Sequence, residues 1–154
     1  RWHRLQPNSL SYSAAIRACE RSGEPALAQR LLQEMRQHGL VPDAIDYNTA
    51  IRACERGGQH EDARRLLREM HAQALQPDAV SYSAVIGACE RGAQYGRSLE
   101  LLREMPSRVV EPDILAYNAG ITAHGKGTEC ERALDLLEEM QHEAVELDTV
   151  SHTA

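Results

Sequence analysis

SYSAAIRAC at residues 11–19 returns as DYNTAIRAC at 46–54, SYSAVIGAC at 81–89 and AYNAGITAH at 116–124, a step of 35 residues each time. The same step carries Tyr12, Tyr47, Tyr82 and Tyr117, then Ile16, Ile51, Ile86 and Ile121, and all four methionines, Met35, Met70, Met105 and Met140, with no insertion. A fixed period of this length marks a solenoid, in which one supersecondary unit cannot bury its apolar face alone and stacks on its neighbours. The register defines complete units at 9–43, 44–78, 79–113 and 114–148, with partial units at 1–8 and 149–154, so the whole of 1–154 reads as one array. Both ends fall inside a unit. The chain is therefore expected to be a segment of a longer protein, lacking the polar end repeats that a free solenoid needs.

Within a unit the pattern changes halfway. Residues 45–56, IDYNTAIRACER, place Ile45, Ala50, Ile51 and Cys54 at helical spacing, and Gly57-Gly58 stops that segment. A second segment, Glu61 to Ala72, aligns Ala63, Leu66, Leu67 and Met70 in an apolar helix stripe. Gln76-Pro77-Asp78 then introduces the next unit, where proline breaks the helix and aspartate caps or turns the chain. Each unit thus reads as two antiparallel helices and a short linker. Two local departures are visible: Leu147 stands where the last unit should close with proline, and Pro106 enters the second helix of the third unit, which it is expected to shorten.

Composition narrows the possibilities without choosing among them. There is no phenylalanine and one tryptophan, so the core is aliphatic and alanine-rich. No stretch reaches the roughly 18 to 20 apolar residues of a membrane span, and no signal-like segment opens the chain, although a targeting peptide could precede residue 1. Cys19, Cys54 and Cys89 recur once per unit while Cys130 sits elsewhere, and no C-x2-C pair suggests metal ligation. They read as helix-packing thiols and point to a reducing compartment. The seven histidines share no repeat position and form no H-E-x-x-H pattern, which leaves them as surface or packing residues. With no phosphate-cradling glycine loop, no nucleophile beside a base and no phased carboxylate cluster, the chain reads as non-catalytic, and nothing in it asks for a cofactor or metal.

Two families use helical hairpins at nearly this period. The tetratricopeptide unit, usually a peptide binder, opens W-x2-L-G-x2-Y, which no unit here supplies. The nine-residue series quoted above, each followed by a glycine-containing turn, a Leu-Leu-x-Glu-Met helix and a closing Pro-Asp, resembles instead the pentatricopeptide repeat, over the whole chain. That resemblance implies an all-α fold, a right-handed superhelical solenoid of antiparallel helix pairs. It also implies binding of single-stranded RNA at one base per repeat, and action in the mitochondrion or chloroplast on transcript stability, processing, splicing or translation.

The family's functional positions carry over one by one. Its base-reading positions are the fifth residue of a unit, here Ser13, Asn48, Ser83 and Asn118, and the thirty-fifth, here Asp43, Asp78, Asp113 and Asp148. Asn8 and Thr153 belong to half-sites whose partners lie outside the chain. An ionised aspartate only accepts hydrogen bonds, so it favours a base with a ring N–H on its Watson–Crick edge, guanine or uracil. Serine leaves space for a purine and asparagine suits a pyrimidine; in line with the family's pairing rules, the four units are expected to read 5′-GUGU-3′. The competing explanation is that Ser and Asn cap helices and Pro-Asp makes turns.

Two further positions complete the expected site. The second residue of each unit is aliphatic, Leu10, Ile45, Val80, Leu115 and Val150, and the resemblance makes these the side chains that sandwich each base, with core packing as the alternative. The thirteenth is a cation, Arg21, Arg56, Arg91 and Lys126, matching the family's phosphate-contacting position, although helix C-termini also attract cations. A net charge of −6 stands against nucleic-acid binding. Most of the acid lies in the four closing aspartates and in the seven acids between residues 128 and 146, which leaves the first-helix segments mildly basic. The rival reading is a protein-binding helical scaffold whose groove takes a peptide.

Overall fold

The computed structural model describes residues 6–126 and 130–151, with side chains described as far as residue 142 apart from that of residue 130. Among these residues there are eight helices and no strand: α1 (Ser9–Ser22), α2 (Pro25–Gln37), α3 (Ala44–Gly57), α4 (His60–Ala72), α5 (Ala79–Arg91), α6 (Tyr95–Ser107), α7 (Ile114–Lys126) and α8 (Cys130–Ser151). The boundaries follow from local chemistry. Asp43 and Asp78 cap α3 and α5 through their side chains, each in a reciprocal capping box with the residue three positions on. Gly23 and Gly58 close α1 and α3 in the left-handed region, at φ 66° and 65°, where a Cβ would be penalised. No helix among the described residues is long and apolar enough to cross a membrane.

Each unit is a hairpin of two helices, and the units stack in one direction. First helices pack directly on first helices, α1 on α3, α3 on α5 and α5 on α7, and each second helix packs on the first helix of the next unit. No comparable backbone approach joins α2 to α4 or α4 to α6. Those helices meet instead through long polar side chains such as Arg36 and Glu69, 3.1 Å apart. A stack more tightly spaced on one layer than on the other curves toward the tight layer. The first helices therefore line the concave face.

The repeat period is the period of the core. Tyr12, Tyr47, Tyr82 and Tyr117 are buried, as are Ile16, Ile51 and Ile86, then Leu32, Leu67 and Leu102, then Met35, Met70 and Met105. Cys19, Cys54 and Cys89 are free and buried. Burial pushes the Cys54 and Cys89 thiols up to about 11, far from the thiolate that metal binding or nucleophilic chemistry needs. They pack, as small apolar residues do.

The structure corrects one expectation about helix ends and adds a difference that the repeat did not announce. Pro106 does not shorten α6, which has the same 13 residues as α2 and α4. The proline is exposed and falls in the last turn, so one bond to the carbonyl four residues back is given up and the ring has solvent beside it. The second difference is at the far end. Where α2, α4 and α6 stop, α8 runs on through the expected unit boundary at 148 for 22 residues in all. Earlier second helices turn into a left-handed residue, Gly39, Ala74 or Val109, and then meet Pro42, Pro77 or Pro112. The last unit keeps at the first of these places the alanine of unit 2, Ala144 for Ala74, and differs at the second, where Leu147 replaces the proline.

Candidate nucleic-acid interface

The stacking of first helices sets their first turns side by side, and each of those turns is capped by the closing residue of the unit before. Asn8 accepts the Ser11 amide at 3.0 Å, Asp43 that of Asp46 at 2.9 Å, Asp78 that of Ser81 at 2.9 Å and Asp113 that of Ala116 at 2.9 Å. The thirty-fifth-position residues are thus helix caps, favoured there by the positive end of the helix dipole. Capping uses one oxygen of each carboxylate, so it does not preclude a second partner.

The same geometry brings the closing residues beside the fifth-position side chains 30 residues upstream. The Ser83 hydroxyl donates to Asp113 Oδ1 at 2.7 Å, and Asn48 Nδ2 lies 3.5 Å from Asp78 Oδ1. Unit 1 departs from this arrangement, because Ser13 donates not to Asp43 but to Asp46 Oδ1, at 2.6 Å. Asn118 is exposed on α7. Its expected partner Asp148 lies within α8, as does Val150, and the side chains of both lie outside the described residues, as does Thr153 altogether.

The second-position aliphatics are on the surface. Leu10 is 75%, Ile45 67%, Val80 41% and Leu115 66% exposed, so core packing does not explain them. Leaving a large aliphatic in water once per unit forgoes roughly 1.5–3 kcal/mol of burial each time. Between units 3 and 4, Val80 and Leu115 line a cavity of about 150 Å³ together with Ser83, Asp113, Ala84 and Gly87.

Charge is distributed unevenly around this cavity. Glu55 and Glu90 also line it. Burial lifts both carboxyls above the usual range, against the opposing pull of Arg91, Arg52 and Arg56 on Glu55 and of Lys126 and Arg91 on Glu90. Gly87 stands where one and two units earlier the chain has Arg52 and Arg17, so this junction lacks the cation that faces Glu20 one unit before. Arg21, Arg56, Arg91 and Lys126 are all exposed in the last turns of α1, α3, α5 and α7. Among the described residues none of the four is held in an ion pair, and Lys126 Nζ lies 5.2 Å from the Tyr95 ring centre.

Residues that the sequence reading passed over are the third positions of the units, Asp46 and Ser81 above all. Ser81 is buried and donates to Asn48 Oδ1 at 2.6 Å. A signal was available, since the column Ser11, Asp46, Ser81 and Ala116 varies in polarity while its neighbouring tyrosine does not. Its cross-unit partner, 33 residues away, was not visible as a spacing within one unit.

Known structures share this architecture. The pentatricopeptide repeat protein PPR10 from maize superposes with a TM-score of 0.77 at 22% identity, over 97% of this chain and 22% of that one. PPR10 in complex with an 18-nt psaJ RNA element gives 0.78 at 28% identity, over 90% of this chain and 20% of that one. The PPR domain of Arabidopsis thaliana protein-only RNase P 1, in complex with tRNA, gives 0.78 at 15% identity, over 97% and 81%. The chain thus spans about a fifth of the length of PPR10. No curated protein matches it. A model of the pentatricopeptide repeat domain matches residues 30–91, and the PPR repeat model matches 10–40, 80–109 and 115–145. These matches tile the same hairpins that the helices form, and the chain belongs to the pentatricopeptide repeat family.

Proposed function

We propose that this chain binds single-stranded RNA along the concave face of its first helices, one base per repeat. The observation that carries the reading is the column of exposed aliphatics, Leu10, Ile45, Val80 and Leu115, standing at the same turn of each first helix, beside the polar pairs Asn48–Asp78 and Ser83–Asp113 in units 2 and 3. An exposed apolar side chain on either side of each polar pair suits a flat, stacked ligand with a hydrogen-bonding edge. The cavity between Val80 and Leu115 is comparable in size with one nucleobase. A groove for a peptide helix would instead be continuous and apolar. PPR10, 28% identical over the shared region, was captured with an RNA element, which supports the same class of ligand here.

In this reading Ser83–Asp113 and Ser13–Asp43 take guanine, and Asn48–Asp78 and Asn118–Asp148 take uracil. With the amino-terminal unit at the 5′ side, as in the family, the core target is 5′-GUGU-3′. The site of action proposed with it is a mitochondrion or chloroplast, in RNA processing, stability, splicing or translation. Binding of the chain to GUGU, UGUG and ACAC at one salt concentration tests the reading. GUGU should bind tightest, by about tenfold or more over ACAC, since each good base-edge contact is worth ~1–3 kcal/mol. Equal affinity for GUGU and ACAC would dismiss base reading by these units and favour a protein-binding scaffold.

A further inference from the structure

We propose that the third residue of the following repeat decides which hydrogen-bonding face the fifth-position side chain offers a base, so that units 1 and 3, both Ser–Asp, read differently. The proposal rests on the RNA reading above and adds a positioning residue to it.

Three junctions show three arrangements. At the first, the Ser13 hydroxyl donates to Asp46 Oδ1 at 2.6 Å. Asp46 is only 3% exposed and is anchored by accepting the Asp43 backbone amide at 3.2 Å, so it does not leave when a base arrives. A serine has one hydroxyl proton. With that proton committed to a buried partner, Ser13 presents lone pairs, and Asp43, which is hydrogen-bonded to the same Asp46, presents a second acceptor.

At the second junction, Ser81 donates to the Asn48 carbonyl at 2.6 Å and lies 2.9 Å from Asp78 Oδ1. One lone pair of the Asn48 amide oxygen is thereby taken, and the amide is held with that oxygen toward Ser81. Its Nδ2 is left as the donor, next to the Asp78 acceptor. At the third junction the corresponding residue is Ala116, which has no polar side-chain atom. Ser83 turns to Asp113 itself, whose Oδ1 also caps α7.

The consequences for a base edge follow from counting donors and acceptors. Unit 2 offers a donor and an acceptor, which match a uracil carbonyl and its ring N–H. In unit 3 the Ser83 hydroxyl is held only by Asp113, the carboxylate that a base ring N–H engages, so it can rotate to donate to the adjacent carbonyl instead. Guanine and uracil both present that pair. Unit 1 offers two acceptors. Guanine presents two adjacent donors, its ring N–H and its exocyclic amine, whereas uracil flanks its single N–H with carbonyls that would face lone pairs. Unit 1 should therefore discriminate guanine from uracil more sharply than unit 3.

The test compares GUGU with UUGU, which changes the base at unit 1, and with GUUU, which changes it at unit 3. The guanine-to-uracil affinity ratio should be about tenfold larger at unit 1, the worth of one base-edge contact. Asp46→Ala reproduces the arrangement of Ala116, under which Asp113 still caps its helix, and should bring the unit 1 ratio down to the unit 3 value. Ala116→Asp should do the reverse at unit 3. A merely structural role for Asp46 would weaken all three RNAs alike and leave the ratio unmoved. Equal ratios at units 1 and 3 in the unaltered chain, or an Asp46→Ala chain with its ratio unchanged, overturn the proposal while leaving RNA reading intact. Indifference between GUGU and ACAC overturns both. The wild-type comparison needs no variant, so a substitution that fails to fold does not remove the test.

Discussion

Asp78 serves two structures at once, and its two roles can be separated. It caps α5 through the Ser81 amide and lies within reach of Asn48 Nδ2 in the unit before. Asparagine caps a helix about as well as aspartate does, but its amide can donate as well as accept. Asp78→Asn should therefore leave the helical content and the unfolding midpoint nearly unchanged. The preference at the second nucleotide should move from uracil toward cytosine, whose bare ring nitrogen accepts, by about 1–3 kcal/mol. Binding to GUGU and GCGU, read alongside a thermal melt, checks this; a lower melting point with an unmoved preference would make Asp78 a turn residue alone. The fifth and thirty-fifth positions came from the family resemblance, placed on this sequence by its 35-residue register, and the structure brings two such pairs, Asn48–Asp78 and Ser83–Asp113, within hydrogen-bonding reach. The link from Ser13 to Asp46 was not legible, because which of two nearby carboxylates takes a hydroxyl proton depends on packing between units.

At the scale of the element, what the sequence disclosed was the apolar stripe and the glycine and proline punctuation. What it concealed was how weak a single breaker is in a last turn. Pro106 left α6 at full length, and α8 runs on where Leu147 replaces the proline of the earlier units. The same turns carry a cost that the period conceals. The second residue after α2, α4 and α6 is left-handed, Gly39 at φ 72°, Ala74 at 57° and Val109 at 59°. Glycine adopts that conformation freely and a β-branched residue does so poorly. Val109 is also 94% exposed, so its side chain gains almost nothing from packing. Val109→Gly should stabilise the array by about 1 kcal/mol or more, on the scale of strained backbone positions. A urea unfolding midpoint that fell instead would mean that the Val110 packing next to it depends on the bulk of Val109.

For the molecule as a whole the question is how an acidic chain would hold the polyanion proposed for it, and the answer lies in where the charges sit. Arg21, Arg56, Arg91 and Lys126 end successive first helices, exposed, one per unit along the concave layer. Glutamates on that layer face cations: Glu20 lies 3.8 Å from Arg52, and burial lifts the Glu55 and Glu90 carboxyls above the usual range against the pull of Arg91 on both. If the four cations meet phosphates, each contact releases counterions and contributes about 0.7 to the slope of log affinity against log salt for a single strand. Replacing all four with glutamine should weaken GUGU, UGUG and ACAC by similar factors, since phosphate contacts position a strand without reading it. The salt slope should flatten by about 2 to 3 while the ranking of the three RNAs stays the same. The alternative is that these residues stabilise helix C-termini, each worth about 0.3–1 kcal/mol. That role predicts a lower melting temperature and an unaltered slope. A titration of binding against salt, run beside a melt of the same variant, distinguishes charge that holds the strand from charge that only finishes a helix.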